Sequence, residues 1–96
     1  MTKYERFCEV YLKTVENAPI EYRMLDKNSA WVLVQTLTEC YPDVVASVAQ
    51  GELSDAQVDE VMSAGIIPGA GLAGRLKNDR ETALQYLQPL AQIFIE

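Results

Sequence analysis

Two groups of residues in this 96-residue chain have types and spacing suited to chemistry. The first is Gly69-Ala70-Gly71-Leu72-Ala73-Gly74, followed by Arg75 and Lys77. Glycines in a GxGxxG spacing permit a tight turn, close approach of backbone to a pyrophosphate and close helix packing. In a dinucleotide-binding unit they follow a buried strand and open a long helix. Here only Ile66 and Ile67 precede them as strand material, and residues 75–96 already hold a helix with its own start signal. The context therefore predicts a tight connection in which glycine supplies unusual backbone angles. A less demanding use stays open. A loop over 69–77, with Gly69, Gly71, Gly74, Arg75 and Lys77, could hold the phosphate or carboxylate of a small anion or nucleotide.

The second group is acidic. Lysine and arginine number 8 and aspartate and glutamate 14, a net charge of −6. All of that excess falls between Glu39 and Gly74, where Glu39, Asp43, Glu52, Asp55, Asp59 and Glu60 meet no Lys or Arg in the sequence. Asp55 and Asp59 are one helical turn apart and share a face, Glu60 borders it, and Glu52 stands just before the same helix. One-signed charge on one face presents a coherent field to a basic partner. The plain alternative is a solvated helix face, with Asp55 accounted for by the helix dipole.

Other chemistries are disfavoured by what the chain lacks. Without histidine there is no Ser-His or Cys-His relay and no imidazole metal ligand. Cys8 and Cys40 form no CxxC pair and read as buried, inert thiols. Asp55, Asp59 and Glu60 lack the DxDxDG spacing of a calcium loop. Paired carboxylates do acid–base work only in a cleft, which nothing here implies. The expectation is no enzyme, no catalytic residues, no metal and no cofactor. Direct nucleic-acid binding is disfavoured by the charge, because neutralising phosphates takes clustered cations. No apolar run approaches the ~20 residues of a membrane span, and the polar start Met1–Arg6 lacks a signal peptide's apolar region. Location in the cytoplasm, away from membranes, is the corresponding expectation.

The elements that must position these residues read as helices of a single domain over 1–96. Thr2 and Glu5 have capping-box spacing, and Tyr4, Phe7, Cys8, Tyr11, Val15 and Ala18 form an apolar stripe closed by Asn17 and Pro19. Ile20–Leu25 suits a short strand or a short helix, and a β-hairpin over 20–37 is the alternative for that region. A helix capped by Asn28 over Ala30–Tyr41 is preferred, broad enough in its apolar face to be central. Pro42 starts another that Gly51 ends. Ser54 and Gln57 form a second capping box, Leu53 and Val58 its hydrophobic staple, and Gly65 the stop. Asn78 and Glu81 have capping-box spacing for a last helix, which Pro89 should bend or interrupt.

The expected fold is thus all-α, a compact bundle of four to five short helices. A 49% hydrophobic composition leaves apolar side chains for a partner or a second copy as well as for a core. The leading functional expectation is a small acidic module that docks on a protein with a basic surface, as inhibitor or adaptor, through Glu52, Asp55, Asp59 and Glu60. The anion- or nucleotide-binding loop and a self-associating structural domain are the alternatives.

Overall fold

Thr2 opens the first helix as its spacing to Glu5 requires. In the computed structural model, which describes residues 1–23, 26–65 and 71–95 (backbone alone over 71–74), α1 is Lys3–Thr14. The Thr2 hydroxyl accepts from the Glu5 N–H at 3.1 Å, and the Glu5 carboxylate accepts from the Thr2 N–H at 3.2 Å. Asn17 donates to the Leu12 carbonyl at 2.8 Å, satisfying one acceptor that the helix end leaves open. Pro19 then leads into a 3₁₀ turn, Ile20–Tyr22. Among the described residues there is no strand, which overturns the hairpin alternative; Met24 and Leu25 lie outside them.

Helix α2, Lys27–Cys40, begins earlier than expected and is capped by Asp26, not Asn28. The reason is the number of bonds a carboxylate can accept. Asp26 takes the N–H groups of Asn28 and Ser29 at 3.0 and 3.1 Å and the Ser29 hydroxyl at 2.9 Å. Its charge also suits the positive end of the helix. The Ser29 N–H, followed by the Ser29 hydroxyl, holds the Asp26 carboxyl below its ordinary pKa. Asn28 is left to accept a hydrogen bond from the Tyr4 hydroxyl. The β-branched run stays helical, with the Thr38 hydroxyl satisfied by the Val34 carbonyl at 2.8 Å.

Pro42 occupies the first turn of α3, Pro42–Ala49, where a missing N–H loses nothing. Gly51 follows at φ +77°, the left-handed conformation that ends such a helix. Helix α4 is Asp55–Ser63, with the Ser54–Gln57 box formed in both directions and Gly65 at φ +73° beyond it. Leu53 and Val58, the staple pair, are both buried.

Helices α5, Gly71–Asn78, and α6, Arg80–Ile95, complete the chain. Six α-helices thus stand among the described residues, more than the four or five expected. Part of the stretch read as a loop is α5. Each glycine in a helix interior costs about 1 kcal/mol against alanine, but Leu76 is buried and α5 packs on α6 and the 3₁₀ turn. Asn78 therefore belongs to α5 and cannot cap α6. Pro89 does not interrupt α6, because packing on α1, α2, α3 and α5 holds the helix together across it. The bundle is built around α6, while α2 meets only α1, α3 and α6 among the well-packed pairs. Gln88 and Gln92 clamp α6 to the end of α3, both donating to the Ala49 carbonyl, at 3.1 and 3.2 Å.

One contiguous core joins these helices, with two differently built ends. At one end Phe7, fully buried, meets Tyr11, Trp31 and Phe94 with ring centroids 6.2, 5.4 and 5.9 Å away. At the other, Val44, Val45, Val48, Val58 and Val61 supply small branched side chains from α3 and α4. The cysteines depart from expectation. Both are free thiols, Cys8 half-buried and Cys40 exposed on α2.

Candidate functional site

Helix α4 turns Val58 and Val61 inward, and the capping box fixes its start. The 3.6-residue period then leaves Asp55, Asp59 and Glu60 facing outward, and Glu52 is exposed in the connection before them. All four carboxylates singled out from the spacing are exposed, three of them on α4. The side chain of Asp55 is 88% exposed and that of Asp59 67%.

Two cations from the C-terminal part of the chain approach this edge. Arg80 donates through Nη2 to the Asp55 carboxylate, through Nη1 to the Leu53 carbonyl at 3.1 Å and through Nε to the Leu76 carbonyl at 3.1 Å. The planar fork thus ties α6 to the last turn of α5 and to the residue before the α4 cap. Lys77 Nζ lies 4.0 Å from an Asp59 oxygen, and both side chains are about two-thirds exposed. Four carboxylates against two cations leave the edge negative, with Glu52 and Glu60 meeting no cation among the described residues. Ion pairs this exposed contribute about 0–1 kcal/mol each and exchange readily for other partners. Arg80 was legible in the sequence only as a balancing charge, because it stands 25 residues from Asp55.

The glycine-rich alternative is not assembled. Gly69 lies outside the described residues, and Gly71 and Gly74 lie within α5. Arg75 and Lys77 are two apart on that helix and so diverge. The Arg75 guanidinium sits 5.9 Å from the centre of the Tyr22 ring, whereas Lys77 reaches toward Asp59. Over 71–77 the expected loop is therefore corrected to a helix with its two cations on different sides, while 69 and 70 lie outside the described residues. Tyr22 also donates to the Asp79 carboxylate. That hydrogen bond is the first reason its phenol titrates above the ordinary value, with desolvation second. This Tyr22–Arg75–Asp79 cluster escaped the sequence reading because Tyr22 and Asp79 are 57 residues apart.

No protein-family model, curated protein or solved structure matches the chain.

The chemistry open to the site must accordingly come from its own residues. Among those described, no three Cys, Asp or Glu side chains gather into a group able to hold a metal ion. No described helix is long and apolar enough to cross a membrane. What the α4 edge offers is a set of exposed acceptors on a helix fixed by its capping box and by the buried Val58 and Val61. Apolar side chains also reach the surface, among them Tyr4, Leu12, Ile20 and Val32, on other elements.

Proposed function

We propose that this chain is a small acidic binding module of the cytoplasm. It docks on a protein with a basic surface through the edge formed by Glu52, Asp55, Asp59 and Glu60, acting as inhibitor or adaptor rather than as an enzyme. The observation that carries this reading is the exposure of Asp55, Asp59 and Glu60 on α4 and of Glu52 just before it, opposed among the described residues by Lys77 and Arg80 alone. Arg80 is held by two backbone carbonyls and stays where it is. Lys77, with a single long contact, gives way to an incoming lysine or arginine. Charge of this kind accelerates and selects encounters, while a few well-buried contacts set the lifetime of a complex.

Affinity capture from native lysate with mass spectrometry tests the proposal, comparing wild type with a variant carrying Asp55→Asn, Asp59→Asn and Glu60→Gln. The expected result is a basic partner retained by the wild type and lost by the variant. Partners held equally by both would remove the α4 edge from the function. The anion-binding alternative is not carried forward, since its two cations are engaged on separate faces.

A further inference from the structure

The valine end of the core is not filled. A cavity of about 60 Å³ lies where α2, α3 and α6 converge over α4 and α5, bounded by side chains that include Leu37, Val44, Val48, Val61 and Leu90. Every described lining residue is leucine, valine or alanine, and the described core contains no buried polar or charged residue. A water molecule there needs two to four hydrogen-bonding partners and the described wall gives none, so the space favours an apolar occupant. The volume is well below the ~150 Å³ of an engineered apolar cavity able to take up benzene, which limits an occupant to something smaller.

The wall also has a weak place. Leu87 is the lining residue that is only partly buried, and it stands on α6 two residues before Pro89. Proline has no N–H to give the Gln85 carbonyl, so α6 lacks one backbone hydrogen bond in the turn that carries Leu87. Leu87 is also where the described wall reaches the surface.

We propose that this cavity is a binding site for a small, uncharged hydrocarbon group, about the size of a short alkyl chain, admitted past Leu87. The wall excludes charged and hydrogen-bonding ligands, because it would strip their hydration and return nothing. Any polar part of a larger ligand must remain outside. This site is independent of the acidic edge, since its recognition is wholly apolar.

Methyl-resolved NMR of the intact chain tests it, with xenon under rising pressure and, separately, dissolved cyclopropane as probes. The expected result is a saturable shift of the Leu37, Val44, Val48 and Val61 methyl signals, with those of Val15 and Val58, buried outside the cavity, unmoved. Absent, unsaturable or uniformly spread shifts would overturn the proposal, and this titration of the wild type stands without any variant. Val48→Ile, adding one methyl group at the wall, should abolish the response of Val44 and Val61 while leaving the chain folded; Val44→Ile serves the same purpose should the first variant fail to fold. A folded filled variant that keeps the wild-type response would place the guest elsewhere and likewise overturn the assignment.

Discussion

The two ends of this core do the same work with different side chains. At the aromatic end one fully buried ring, Phe7, is surrounded by Tyr11, Trp31 and Phe94, and the Trp31 and Phe94 rings come within 4.9 Å of each other. Large flat side chains from α1, α2 and α6 interlock there through tilted and edge-on contacts. At the other end Val44, Val45 and Val48 of α3 and Val61 of α4, with leucines around them, meet as small branched units and leave a cavity between them. The surfaces differ too. Lys3, Arg6 and Lys27 accompany the acids of the aromatic end, with the Lys3 ammonium 5.9 Å from the centre of the Phe94 ring, whereas the valine end lies beneath the acidic α4 edge. One core is thus closed by interlocking rings around Phe7 and left partly unfilled where the branched side chains of α3 meet leucines of α2 and α6.

The sharpest way to break that comparison is at its most buried ring. Phe7→Ala should destabilise the chain by about 3–5 kcal/mol, the range for removing a buried phenylalanine side chain, as read by urea unfolding. A loss below about 1 kcal/mol would mean that the aromatic cluster is not the anchor. Next comes Arg80, whose fork joins three elements. Arg80→Ala should cost about 2–3 kcal/mol through the loss of charged hydrogen bonds to backbone carbonyls. Arg80→Lys should recover little of it, because one ammonium cannot span both the Leu53 and Leu76 carbonyls.

A smaller pair of changes compares the two ends directly. Val15→Ile adds a methyl group to a side chain that is fully buried away from the cavity, and overpacking of that kind costs about 1 kcal/mol or more. Val48→Ile adds the same group beside free space and should leave the melting temperature equal or higher. Equal losses from the two variants would erase the distinction between the ends. The smallest expected effect concerns acid. The folded pKa of Asp26 is depressed, so its capping contribution is fully present above its ordinary value of 3.8 and is lost as pH falls through the lower folded value. Asp26→Asn should remove that part of the acid dependence, measured by unfolding wild type and variant at successive pH values.

Much of this was legible where the signal is local. The Thr2–Glu5 and Ser54–Gln57 boxes sit three residues apart, so spacing alone locates the starts of α1 and α4, and Pro42 marks that of α3. Sequence alone points to Asn28 as the α2 cap, whereas the three bonds accepted by one carboxylate select Asp26. The Asn78–Glu81 spacing failed because burial of Leu76 draws the preceding residues into α5, with Asn78 as its last residue. The acidic edge followed from helical period, whereas its partners Arg80 and Lys77 come from distant sequence and depend on how α5 and α6 are packed. The cavity had no sequence signature beyond the density of valines in α3 and α4.

The most direct test of the central claim is the association rate of the captured partner with wild type and with the Asp55→Asn, Asp59→Asn, Glu60→Gln variant, measured across a range of ionic strength. Screening by salt should slow the wild type steeply. The variant should associate more slowly at low salt and respond weakly to added salt, with both chains equally folded. Superimposable rates and salt dependences would contradict the account and leave the acidic edge as solvated surface.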